Sequence, residues 1–125
     1  MNKRITSKSV IWIIDRQQWP RAYLRAELIE RGFDAIGFVE LGEALAALYD
    51  PEYVTPRLIV LELQGQSIAK TDLETLARFG IPAVALGGAA ELSDERVNGF
   101  KWAALMQRPF TIGKVADAVE ESVSR

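Results

Sequence analysis

The sequence predicts an α/β fold, a doubly wound five-stranded parallel sheet in the order 2-1-3-4-5 with helices on both faces. Three observations lead there. Five short apolar runs show no regular alternation with polar residues, as strands covered on both faces require. Each run is followed by a segment whose apolar residues recur at helical spacing, and parallel strands need such crossovers, which right-handed connections place on both sides of the sheet. The chain has 125 residues, the size of one domain, and a globular protein of this length buries roughly two thirds of its unfolded surface.

The elements follow in order. Residues 10 to 14, "VIWII", are β-branched and aromatic and form the first strand. Pro20 suits a first helical turn, and Tyr23, Leu24, Leu28 and Ile29 have the spacing of a buried stripe, ended by Gly32, so a helix is predicted from about Trp19 to Arg31. "FDAIGFVE" reads as the second strand, and "LGEALAALYD" as the second helix, with Leu41, Leu45 and Leu48 on one face and a stop before Pro51. "YVTPRLIVLEL" returns to a buried strand. "SIAKTDLETLARFG" is a third helix, with Ile68, Leu73 and Leu76 inward and Gly80 at its end. "IPAVAL" is the fourth strand, a short helix is predicted over about Leu92 to Phe100, and "AALMQ" is the fifth strand. "TIGKVADAVEESVSR" closes the chain as a helix capped by Thr111, with Ile112, Val115, Val119 and Val123 as its stripe.

Composition excludes several chemistries. With no histidine and no cysteine, the usual general base, the thiolate nucleophile, the disulfide and the zinc-cysteine site are absent. Fifteen basic and seventeen acidic residues, net charge -2, are mixed along the chain and create neither a basic field for nucleic acid nor a polybasic membrane patch. The start "MNKRITSKSV" is basic, but the apolar stretch before Asp15 is too short for a signal peptide or a membrane span, and a cytoplasmic protein is expected.

In a sheet of this order, the flavodoxin-like order, the ligand crevice lies outside the carboxyl ends of the strands, where strand order reverses. That rim collects Asp15 and Arg16 after the first strand, Glu62 at the end of the third, Gly87 and Gly88 after the fourth, and Arg108 after the fifth. Here the chain resembles, over nearly its whole length, the receiver domain of two-component response regulators. "VIWIIDR" resembles that family's strand ending in an acidic pair, and "RLIVLEL" its strand ending in the phosphoacceptor aspartate. "IPAVALGG" resembles the strand ending in threonine or serine, and "MQRPF" the closing lysine-proline-phenylalanine.

In that family the acidic pair and the aspartate hold magnesium, while the hydroxyl and the lysine contact the phosphoryl group. Carried over position by position, the resemblance implies that Asp15 keeps the first acid and Arg16 replaces the second. Glu62 stands for the phosphoacceptor, Gly87 for the hydroxyl residue and Arg108 for the lysine, and Leu105 falls near the switch aromatic. A guanidinium in place of a carboxylate removes a magnesium ligand and repels the ion. The expectation is therefore a degenerate receiver, a pseudo-receiver without phosphoryl transfer, metal or cofactor, and not an enzyme. Arg16 and Arg108 are expected to flank Glu62 and Asp15 in an internal charge cluster. Two readings of Glu62 follow. It mimics a phosphorylated aspartate, or it is a partly solvated acid left in a decayed pocket, the reading preferred because Gly87 and Leu105 also remove switch elements. The resemblance further implies a cis peptide at Arg108–Pro109.

Other features have plainer readings. Trp19 is expected to pack against the start of its own helix rather than anchor a partner, and Trp12 and Trp102 to lie in or beside the core. Gly87 and Gly88 lack the spacing of a phosphate-binding loop, and "DRQQWPR" lacks the hydroxyl- and glycine-rich loop of flavodoxin proper. Asp72, Glu74 and Arg78 read as solvated, with Glu74 and Arg78 as a surface ion pair. The function expected is a phosphorylation-independent interaction or regulatory module in bacterial signalling. Its partners would be other signalling proteins or an output domain, with homodimerisation through the fourth helix, fifth strand and last helix as a possibility the resemblance brings. The alternative is a receiver that still accepts phosphate or a small ligand at the altered acidic pocket.

Overall fold

The structure, a computed structural model, describes residues 8–125; the basic start at residues 1–7 lies outside the described residues. The elements are β1 (Val10–Ile14), α1 (Gln18–Glu30), β2 (Asp34–Phe38), α2 (Leu41–Leu48), β3 (Leu58–Glu62), α3 (Lys70–Phe79), β4 (Ala83–Gly87), α4 (Ala89–Leu92), α5 (Glu95–Asn98), β5 (Ala104–Gln107) and α6 (Ile112–Ser124). All strand pairs are parallel and the sheet order is β2-β1-β3-β4-β5, as expected.

Strand geometry divides the core in two. Successive side chains point to opposite faces. Trp12, Ile14, Ile59, Leu61, Ala83 and Ala85 join Leu41, Leu73, Leu76 and Val97 on the α2, α3 and α5 side. Ile11, Ile13, Leu58, Val60, Val84 and Leu86 join Leu24, Leu28, Val115 and Val119 on the α1 and α6 side. Every residue of β3 and β4 is buried, whereas the edge strands are partly open: β2 exposes Asp34 and Gly37, and β5 exposes alternate positions. The unalternating apolar runs of the central strands have this cause.

Several boundaries and faces differ from expectation. The long run "YVTPRLIVLEL" contributes only Leu58–Glu62 as strand, and α3 begins at Lys70, where Asp72 accepts a hydrogen bond from the Ala69 N–H at 2.8 Å. The helix predicted over Leu92 to Phe100 is two single turns, because the Asp94 side chain accepts from the Arg96 N–H at 2.8 Å and caps a new turn. Tyr23 and Ile29 do not belong to the buried stripe of α1. Leu24 and Leu28 suffice to cover the sheet there, and Tyr23 lies outside, 61% exposed, stacked on Trp19 with ring centroids 6.1 Å apart. Trp19 packs on its own helix in this way, yet stays 63% exposed. Arg78 donates to the Thr75 hydroxyl, 3.3 Å away, instead of pairing with Glu74. Trp12 is fully buried, and Trp102 is half-buried beside the same core. Gly80 takes φ +70° as the left-handed cap of α3, and Thr111 caps α6 by accepting from the Lys114 N–H at 3.1 Å.

Candidate functional site

The same alternation that builds the core builds the site. Asp15 continues the phase of Ile11 and Ile13, Glu62 that of Leu58 and Val60, and Arg108 that of Ala104 and Met106, so all three side chains emerge on the α1 and α6 side. Arg16 and Gly87 have the opposite phase. The structure thus brings together Asp15, Glu62 and Arg108, and leaves Arg16 and Gly87 out.

Glu62 and Arg108 form a two-pronged pair, Nη1 donating to Oε1 at 2.6 Å and Nη2 to Oε2 at 2.9 Å. The Glu62 side chain is 8% exposed and that of Arg108 38%. Glu62 is therefore buried and paired, which corrects the partly solvated acid of the preferred sequence reading. Its Oε2 also accepts from the Gln64 N–H at 3.0 Å. Arg108 is held from its backbone, whose N–H donates to the Gly87 carbonyl at 2.8 Å, and from the side, where its guanidinium carbon stands 5.4 Å from the centre of the Phe110 ring. The Arg108–Pro109 peptide is cis. Hydrogen bonding to Glu62 strengthens the hold of Arg108 on its proton.

Asp15 lies beside this pair and is 6% exposed. Its Oδ1 accepts from the Gln17 N–H at 2.8 Å, and its backbone carbonyl accepts from Arg21 at 2.6 Å. Burial raises the Asp15 carboxyl above its ordinary range; the Gln17 hydrogen bond opposes that rise, and the charge of Glu62 adds to it.

Arg16 does not join the cluster. It turns to the far side and pairs with Glu40 at 2.9 Å, at the residue that caps α2. Its stem crosses Gly65, where a Cβ would come within 2.9 Å of Arg16 Cδ; the backbone φ of +81° is what favours glycine there. Gly87 faces Leu63 and Glu91; a Cβ there would meet Glu91 Cβ at 3.2 Å, and Glu91 accepts from the Gly88 N–H at 2.6 Å. Sequence reasoning did not single out Gln64, Glu91 or Glu40. Nor did it find a cavity of about 320 Å³ below the pair, whose lining includes Asp15, Glu62, Leu24, Phe110 and Val115.

Magnesium does not fit this donor set. Both Glu62 oxygens accept from a guanidinium, Asp15 is the remaining carboxylate, and a hard cation of this kind wants several free oxygen ligands. Among the described residues no group of three or more acidic, histidine or cysteine side chains is placed to hold a metal.

No family model matches the sequence, and no curated protein matches it. Solved structures do. The N-terminal domain of a response regulator/sensory box/GGDEF 3-domain protein from Carboxydothermus hydrogenoformans superimposes with a TM-score of 0.78 at 14% identity, over 93% of this chain and 94% of that one. The fold is that of response regulator receiver domains. A receiver domain protein from Clostridium thermocellum gives 0.76 at 13% identity, over 94% and 95% of the two chains. The beryllofluoride-activated NtrC receiver domain gives 0.71 at 17% identity, over 94% and 96%. At these identities the likeness establishes the receiver fold, and the site itself has to supply the functional reading.

Proposed function

We propose that this chain is a pseudo-receiver, a non-enzymatic protein-interaction module of bacterial signal transduction that works without phosphorylation. One observation carries the reading. Arg108 clamps both oxygens of Glu62, at the strand end where the receiver resemblance places the phosphoacceptor. The guanidinium supplies internally the positive charge that a metal would bring, so the strand ends are neutralised within the protein. The oxygen that would attack phosphorus is held in a hydrogen bond, and Gly87 offers no hydroxyl to hydrogen-bond a phosphoryl group carried there. Partners on this reading are signalling proteins or an output domain, met through α4, α5, β5 and α6. Leu105 on β5 is 50% exposed on that surface.

The test is incubation with acetyl phosphate and magnesium followed by intact mass measurement. The mass stays unchanged on this reading. A stable phosphoryl adduct mapped to Glu62 overturns it and favours a receiver that still accepts phosphate.

A further inference from the structure

The cavity below the Glu62–Arg108 pair is closed on its inner side by apolar side chains, Leu24 from α1, Leu86 from β4, and Phe110, Ile112 and Val115 from the start of α6 and the loop before it. A polar group stands at its mouth. Asp15 Oδ1 is taken by the Gln17 N–H, while Oδ2 has no hydrogen-bond partner among the described residues and keeps some contact with solvent. Oδ2 reaches solvent at the mouth and is an available acceptor beside an apolar wall, the combination of one placed polar group and apolar lining that small-molecule sites use. The neighbouring charges are already committed. Arg108 spends both terminal nitrogens on Glu62, and Arg21 donates to the Asp15 backbone carbonyl.

We propose that this cavity binds a small amphipathic amine, its cationic nitrogen donating to Asp15 Oδ2 and its apolar body lying against Leu24, Phe110, Ile112 and Val115. The volume suits such a ligand. A cavity of about 150 Å³ accommodates benzene, and this one, at about 320 Å³, has room for an aryl ring with a short alkyl arm. An anion is disfavoured, because Arg108 is already spent on Glu62 and the acceptor left open at the mouth belongs to the Asp15 carboxylate. Burial, with the charge of Glu62 adding to it, raises the Asp15 carboxyl, a strain that a bound cation relieves. The inference does not rest on the absence of phosphorylation, since its ligand contacts Asp15 and the apolar wall and not the Glu62 oxygens.

Three isosteric probes test it: 2-phenylethylamine, 2-phenylethanol and phenylacetate, titrated into the ¹⁵N-labelled protein and followed by amide chemical shifts. The amine gives saturable shifts at Leu24, Leu86 and Val115 and binds at least ten-fold tighter than the alcohol; phenylacetate gives no saturation. Asp15→Asn, which keeps the Gln17 hydrogen bond, lowers amine affinity to that of the alcohol. Ile112→Trp, changing a half-buried wall residue, fills the cavity and abolishes binding of both while the rest of the spectrum is retained. Equal binding of amine and alcohol, amine binding unaffected by Asp15→Asn, saturating shifts that map elsewhere, or no saturable shift with any probe overturns the proposal.

Discussion

Arg108 grips Glu62 with both terminal nitrogens, at 2.6 and 2.9 Å, and it does so from the loop after β5, 46 residues further along the chain. The contact joins the ends of β3 and β5 across β4, which lies between them in the sheet. Truncating one partner is therefore not symmetrical with removing both. Arg108→Ala strands a carboxylate whose side chain is 8% exposed, and should cost about 2–3 kcal/mol in urea denaturation. The figure lies below that for a fully buried pair because Arg108 is partly solvated. The double variant Glu62→Leu with Arg108→Met should return to within about 1 kcal/mol of the native chain, since an apolar pair leaves no charge unpaired.

Asp15 gives a pH signature of opposite sense to an ordinary ion-paired carboxylate. Its carboxyl is raised above the ordinary 3.8, so the folded chain takes up that proton more readily than the unfolded chain. This stabilising contribution is complete below the unfolded value and is lost as pH rises through the folded one. Asp15→Asn should accordingly be more stable than the native chain at pH 7, with the difference shrinking as pH falls toward 3.8 and below. Parallel thermal melts across pH 3 to 7 measure it, and an advantage that grows on acidification would contradict the assignment.

A hydroxyl introduced at position 87 should not confer phosphate acceptance. Any Cβ there meets Glu91 Cβ at 3.2 Å and Leu63 Cβ at 3.6 Å, and Glu91 is fixed by its bond to the Gly88 N–H. Gly87→Thr should destabilise by about 1–3 kcal/mol, the range for overpacking. Treated with acetyl phosphate, it should gain no mass, because Arg108 still occupies both Glu62 oxygens.

Trp12 packs against Phe38 at 4.8 Å and Tyr53 at 5.9 Å, yet its indole N–H has no partner among the described residues. Trp12→Ala should cost about 3–5 kcal/mol. Trp12→Phe should cost less than about 2 kcal/mol, since deleting an unpaired buried N–H offsets part of the lost packing. Equilibrium denaturation of the two variants separates packing from polarity at this site.

Much of the fold was legible because its signals are local. The five apolar runs, Gly80 as a left-handed helix end and Thr111 as a cap each report on neighbours a few residues away. The elements that were misjudged are those where side chains compete over short distances. Asp94 divides one expected helix into two turns, and Tyr23 stacks outward on Trp19 although its spacing matches a buried stripe. In the site, the pairing of Glu62 with Arg108 was expected, but the burial of Glu62 was not, and Arg16 was assigned to the wrong side of the sheet.

By itself the sequence determined the strand and helix order, the parallel sheet and the identity of the residues at its carboxyl edge, because periodicity and strand ends are properties of contiguous residues. Only the tertiary structure decided which face each strand end presents. A strand buried on both sides is apolar at every position, so its pattern does not distinguish Ile13 from Ile14, nor therefore Asp15 from Arg16. Packing against α1 and α6 on one side and α2 and α3 on the other breaks that symmetry. It sets Asp15, Glu62 and Arg108 over one cavity and sends Arg16 across the sheet to Glu40.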